Sequence, residues 1–402
     1  MSESSQVAAE RGRFRVFGSL CLLVFLINFG RVVFAPLLDP FIRVFGVGEA
    51  TVGLVATLAW FGSAISRLPT GYLLTRVSRH RVILATGVFL SVVAIATSFS
   101  RTIWHVGIGA FLIGIASGVY FIAANPLVSE LYPDRVGRVI GIHGTASQLA
   151  AVVAPLSVGV FILYADWRLT FLALGVISLF VTLGLYWSTE HIEMPDVGVR
   201  NRHLRRSIEN QWPIILTGIA VVGAASFVWN GFFNFFVRYL TTTKGLDFAV
   251  AQFLLTVLFA AGVPAFFYTG RLADRIPHVT LLLGVLGSFI LTLVAMTFVD
   301  GVVPVAVVSL LMGYSIHSMF PAIDTYLLDS LPDADRSSAY SAYSASTMLV
   351  GSTASAVVGT LAQYGVHFDT MYRSFASILA IVFLVLMVLR RLGRLPDAAR
   401  GE

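Results

Sequence analysis

The sequence is divided into twelve long apolar runs, and this division limits what the chain can fold into more than any other feature. The first six lie at about 16–38, 51–74, 82–99, 105–128, 139–164 and 169–189, the second six at about 213–239, 248–270, 279–299, 304–328, 338–364 and 373–389. Hydrocarbon offers no partner to backbone N–H and C=O groups, so a run that crosses it closes its own hydrogen bonds as a helix. A crossing needs about 20 apolar residues, so twelve would occupy roughly 240 of the 402 present. The composition agrees: 57% of residues are hydrophobic and 12% charged, and the mean hydropathy is +0.85. So few charges could not cover so much apolar surface in water. The first run is too long for a signal-peptide core and lacks a small-residue cleavage pattern after it, so it is expected to remain as a membrane helix. The fold class expected is an all-α membrane protein of twelve transmembrane helices. Residues 1–189 form one six-helix bundle, 190–212 a polar linker, and 213–402 a second bundle with a short tail.

Basic residues orient these helices, because Lys and Arg concentrate on the cytoplasmic side of a membrane. With both termini inside, nineteen of the 27 fall on the inner side, among them Arg11, Arg13, Arg15, the four linker arginines and Arg390 and Arg391. Six fall outside: Arg43, Arg101, Arg168, Arg238, Lys244 and Arg373. Only Arg31 and Arg67 remain within helices. A plasma-membrane protein with both termini cytoplasmic follows. The net charge of +6 and pI near 9.6 are then a topology signal and imply no nucleic-acid partner. The lone cysteine, Cys21, excludes an intrachain disulfide and reads as a small packing residue.

The two halves repeat. Gly71–Leu84 (GYLLTRVSRHRVIL) aligns with Gly270–Leu283 (GRLADRIPHVTLLL) at an offset of 199. The same offset carries Gly114 onto Gly313, Glu130 onto Asp329, Pro133 onto Pro332 and Asp134 onto Asp333. A constant register of this length marks a parallel duplication of a six-helix unit.

These residues resemble the major facilitator superfamily, whose mark is G-x-L-x-D-R-x-G-R between helices 2 and 3, with a weaker copy between helices 8 and 9. Here the second copy is better kept, as Gly270, Leu272, Asp274 and Arg275; the first has Gly71, Leu73, Arg76 and Arg79 but Thr75 and Ser78 at the acidic and glycine positions. Trp167-Arg168 with Phe171 is similar to the family's pattern at the start of helix 6. The resemblance implies a rocking two-bundle transporter in which helices 1 and 7 flank a central cavity. It does not extend to the proton-coupled drug antiporters: their helix-4 arginine would fall at Ala110, and their glycine-proline signature in helix 5 survives only as Ala154-Pro155 with Gly159.

Three groups of residues carry the expected mechanism. Gly71 and Gly270 allow close backbone approach at the cytoplasmic face. Around them Asp274, Arg275, Asp329 and Arg336 in the second half, with Arg76, Arg79, Glu130 and Arg138 in the first, are expected to form a charge network that closes an inner gate. A guanidinium in hydrocarbon costs several kcal/mol and usually faces a cavity, which makes Arg31 a candidate clamp for a carboxylate or phosphate. Asn28 shares its face. Asn230 stands at the position related to Arg31, with Asn234 one turn later, and Tyr314 and Gln148 complete the expected substrate contacts. Asp324 lies well inside a helix, and with His317 two turns away it is the candidate for carrying a proton.

The chain has no P-loop, no metal-ligand cluster and no nucleophile beside a base, so neither enzyme activity nor a cofactor is expected. The expected function is secondary active transport of a small organic anion by alternating access, with a proton or by exchange. One alternative is an exporter of amphipathic compounds; another is a transporter-like receptor that binds without translocating. The partners are a small molecule, protons and the lipid bilayer, and the protein is expected to be a monomer.

Overall fold

The computed structural model describes residues 3–190, 194, 204–273, 275–330 and 333–393. Among them there is no strand, and twelve helices are long and apolar enough to cross a membrane. They are α1 Arg11–Val32, α2 Glu49–Leu73, α3 Arg79–Ser98, α4 Ile103–Leu131, α5 Arg138–Tyr164 and α6 Arg168–Thr189, followed by α7 Ile219–Thr242, α8 Phe248–Ala265, α9 His278–Met296, α10 Val302–Met319, α11 Ala342–Gln363 and α12 Phe368–Arg391. Because the crossings are even in number, α1 begins on the face that carries the chain termini, and the α1–α2 connection lies on the far face.

Three apolar runs are broken where the sequence suggested continuity; the eleventh is interrupted at Thr353, between Asp333–Ser352 and Ala354–Gln363. The first helix stops at Val32, and a separate helix, Phe34–Phe45, follows. Pro36 accounts for the break: it has no N–H to give the Val32 carbonyl, and its ring collides with that group. The eighth run divides in the same way into Phe248–Ala260 and Gly262–Ala273, with Pro264 four residues after Ala260.

The described helices belong to two compact units, Met1–Pro40 with Leu58–Asn201 and Phe41–Thr57 with Arg202–Glu402. The division therefore falls inside α2. Within the first unit α2 and α4 touch backbone to backbone. A Cβ on Gly114 would stand 2.1 Å from the Ala59 carbonyl oxygen, and one on Gly62 would stand 2.2 Å from that of Phe111. The second unit repeats the contact between α8 and α10, where a Cβ on Gly313 would stand 2.0 Å from the Leu258 carbonyl oxygen. The glycine and the carbonyl of this contact are both displaced by 199 residues, so the two halves share this crossing in the register read from the sequence. Small residues permit such crossings where lipid supplies no hydrophobic drive for association.

A second correspondence lies on the far face. The Arg168 guanidinium stacks on Trp167 (4.5 Å) and donates to the Ser100 carbonyl just beyond α3 (3.0 Å). The Arg373 guanidinium stacks on Phe298 (4.3 Å) and donates to the hydroxyl of Thr297 (2.9 Å) at the end of α9. Each arginine caps a helix C-terminus, where unsatisfied carbonyls and the helix dipole favour a cation. Beneath these caps the cores are aromatic: Trp167, Phe171 and Phe34 are buried in the first unit. In the second, Phe232, Tyr239 and Tyr372 meet edge to face or tilted, and Tyr239 donates to Asp369 (2.6 Å).

The far-face part of α2 packs within the second unit. The Glu49 carboxylate pairs with Arg238 at 2.7 Å. The Ala356 amide donates to the Thr57 hydroxyl at 2.9 Å, and the Ala50 amide to the side-chain oxygen of Gln363 at 3.1 Å. Gly53 and Gly359 bring the two backbones together: Cβ atoms there would stand 2.3 Å from the carbonyl oxygens of Ser355 and Glu49.

These contacts set an expectation for stability. Gly114→Ala and Gly313→Ala should each cost about 1–3 kcal/mol through overpacking against rigid backbone. Gly159→Ala, with nothing within 4 Å of the new atom, should be neutral. Thermal unfolding of the purified variants in detergent checks the contrast, and equal midpoints for all three would refute it.

Candidate functional site

The candidate site in the first unit centres on Arg31, at the end of α1. Its Nη2 donates to the Asn28 side-chain oxygen at 2.6 Å, one turn earlier. Asn28 in turn donates from Nδ2 to the Ser147 carbonyl of α5 at 2.7 Å, so its amide is held from both ends and its oxygen is aimed at Arg31. The Arg31 guanidinium lies 4.2 Å from the centre of the Trp60 ring and 5.5 Å from that of Phe121. Arg31 is partly exposed, its Nε has no acceptor, and it enters none of the ion pairs among the described residues. The charge of Arg67 acts on it, with the same sign. Gln148, next to Ser147, also keeps a buried amide nitrogen without an acceptor among the described residues. The arrangement offers positive charge and spare hydrogen-bond donors against aromatic faces. Such a surface can hold an anion in a fixed orientation, since a guanidinium presents its donors in a planar fork.

The related positions of the second unit have different chemistry on the same scaffold. Asn230 stands where Arg31 does, Phe259 where Trp60 does, Trp229 at Gly30 and His317 at Gly118. Trp229 meets Phe259 and His317 edge to face at 5.9 and 5.3 Å, and Phe233 packs against both Trp229 and Phe259. His317 is buried, with Nδ1 2.7 Å from the Gly313 carbonyl. A ring nitrogen beside a carbonyl is the donor, so Nδ1 carries the proton there. Asn230 donates to the Ser226 carbonyl (2.8 Å) and Asn234 to that of Asn230 (2.9 Å). Tyr314 is exposed.

On the terminal face, Arg79 at the start of α3 pairs with Glu130 at the end of α4, at 2.5 Å, and is itself buried. Arg76 instead turns back to the Tyr72 hydroxyl, and Arg138 and Arg275 are exposed. Asp274 and the side chains at Gly270, Asp324, Asp329 and Arg336 lie outside the described residues.

Two features went unread in the sequence. One is the pair Glu49 and Arg238, 189 residues apart; the available signal was a carboxylate and a guanidinium each at the far-face end of its span. The other is the buried group Tyr120, His143 and Leu20. Tyr120 lies 2.7 Å from the Leu20 carbonyl oxygen and can only donate to it, so His143 Nε2, at 3.2 Å, donates to Tyr120. This ties α1, α4 and α5 together and leaves no spare donor on the tyrosine.

Comparison with known proteins agrees with this architecture. The family model described as Major Facilitator Superfamily matches residues 20–299 and, in an overlapping match, 219–401. The chain is 22% identical over 361 residues to the multidrug resistance protein MdtG of Rahnella sp., covering 87% of this chain and 86% of that one. It is 24% identical over 285 residues to the probable sulfoacetate transporter SauU of Cupriavidus necator, covering 66% of this chain and 65% of that one. Among solved structures, a bacterial homologue of the human lysosomal transporter Spinster superposes with a TM-score of 0.79 at 16% identity, over 94% of this chain and 97% of that one.

The Arg79–Glu130 pair yields a prediction. Arg79→Gln and Glu130→Gln should each destabilise the protein, with Glu130→Gln the worse because it strands a buried guanidinium. The coupling energy in a double-mutant cycle should be about 1–2 kcal/mol. Additive losses in apparent thermal stability would show that the pair contributes nothing.

Proposed function

The chain belongs to the major facilitator superfamily, a multi-pass membrane transporter of a small molecule, and from that premise we propose that its solute is an organic anion. The observation that carries this reading is Arg31: a guanidinium in a membrane-crossing helix, oriented by Asn28, resting on Trp60 and joined by no carboxylate among the described residues. A lone charge at that depth costs several kcal/mol, and an anionic solute offsets the cost. A relative named for sulfoacetate supports the same class. In this reading Arg31, Asn28 and Gln148 bind the solute from the first half, and Asn230, Asn234 and Tyr314 serve in the second.

Transport proceeds by alternating access in the plasma membrane, with both termini cytoplasmic as the distribution of arginines favours. Closure of the cytoplasmic side draws on Gly71, Arg76, Arg79 and Glu130 in the first half and on Gly270, Asp274, Arg275, Asp329 and Arg336 in the second. Asp324 and His317 carry a proton with the solute. A second reading, export of amphipathic compounds, draws on the aromatic rings around Arg31 and on the relative named for multidrug resistance; in it Arg31 is architectural.

A thermal-shift screen of the purified protein against anions, cations and neutral solutes separates the two. A ligand at 100 times its Kd adds about 2.7 kcal/mol of stability. A carboxylate or phosphonate compound should stabilise the wild type and fail on Arg31→Gln. Stabilisation only by lipophilic compounds, equal on both proteins, would replace the anion reading with export.

A further inference from the structure

The two halves are left with opposite hydrogen-bonding deficits. In the first unit Arg31 and Gln148 keep unmet donors, the Nε of the one and the amide nitrogen of the other, and in the second Asn230 and Asn234 keep unmet acceptors, buried side-chain oxygens with no donor among the described residues. These asparagines are 6% and 1% exposed, and they stand one turn apart on one face of α7.

Their orientation is fixed by their other ends. In each, the amide nitrogen faces a backbone carbonyl four residues earlier, Ser226 for Asn230 and Asn230 for Asn234. A carbonyl accepts and cannot donate, so reversing either amide would set two oxygens face to face. The nitrogens are thereby used up within the helix, and what each side chain has left is an oxygen. Ser355 of α11 gives its hydroxyl to the Asn230 backbone carbonyl at 3.4 Å, and a Cβ on Gly351 would meet the amide nitrogen at 3.1 Å, so neither residue supplies a donor to the side-chain oxygen. A buried acceptor without a donor bears a desolvation penalty that an incoming O–H removes. A site built this way also discriminates strongly against an analogue that lacks the hydroxyl.

We infer that the transported solute carries hydroxyl groups as well as its anionic group, and that Asn230 and Asn234 select for them. The class thus named is a hydroxylated organic anion. The anionic part rests on the reading of Arg31 above, whereas the hydroxyl part rests on α7 alone.

The test measures Kd by titrated thermal shift of the purified full chain against three pairs of compounds that differ only in hydroxyl groups. They are lactate and propionate, 2,5-dihydroxybenzoate and benzoate, and the neutral pair ribose and 2-deoxyribose. The hydroxylated member of at least one pair should bind about tenfold tighter or more, as one recovered hydrogen bond to a buried acceptor requires. Asn230→Leu and Asn234→Leu should bring that ratio close to one. Arg31→Gln should weaken both members of an anionic pair alike and leave their ratio unchanged. The wild-type ratios need no variant, so they decide the matter even if a leucine variant does not fold. Ratios near one for all three pairs, a preference that survives in both leucine variants, or binding of none of the six compounds would overturn the inference. Discrimination of ribose without binding of any anion would sink the anion reading and leave the assignment of Asn230 and Asn234 standing.

Discussion

A peptide group in hydrocarbon has only its own helix to bond with, and the architecture follows from that constraint. It makes each of the twelve apolar runs a helix. It removes the hydrophobic drive for those helices to associate, since lipid is as apolar as leucine, and leaves packing and polar contacts to hold them together. The glycine contacts between α2 and α4 and between α8 and α10 supply the packing. The arginines at the start of α6 and α12 supply the polar contacts, and they do so where the constraint is most acute, at helix ends whose last carbonyls have no partner in the helix.

Much of this was legible in the sequence because it depends on composition and register. The twelve spans follow from length and hydropathy, and the matched crossings at Gly114 and Gly313 follow from the 199-residue offset. The breaks at Val33 and Ala261 were legible in principle, since Pro36 and Pro264 mark them, but an average over 20 apolar residues conceals a single missing donor. The correspondence of Arg168 with Arg373 was hidden for another reason. They are 205 residues apart, six out of register, and only the carbonyls they cap relate them. At the candidate site, the three-residue spacing of Asn28 and Arg31 was enough to place them on one face. The seating of Arg31 on Trp60 depends on how α1 and α2 cross, which no spacing within one helix encodes.

The duplication explains how one backbone came to present two kinds of chemistry. Positions related by the repeat keep their place in the helices while their side chains diverge: arginine against asparagine, tryptophan against phenylalanine, and glycine against histidine at 118 and 317. At Gly118 a Cβ would stand 2.3 Å from the Ser63 carbonyl oxygen, whereas in the second half the imidazole of His317 stands among Trp229 and Phe259. The scaffold is held by backbone contacts that tolerate no added atom, which leaves the positions outside those contacts free to differ.

The same contacts give α2 a mechanical character. Residues 59–63 are pinned to α4 in the first unit, and residues 49–57 to α11 and α7 in the second, so only Leu58 separates the two sets of anchors. A bend there would expose peptide groups that hydrocarbon cannot satisfy, whereas undoing the clasp at Gly53, Thr57 and Glu49 breaks a handful of side-chain contacts and two close backbone approaches. The intact hydrogen bonds of α2 are thus harder to give up than the side-chain contacts that hold its far-face part, so the helix keeps its shape where its neighbours can let go.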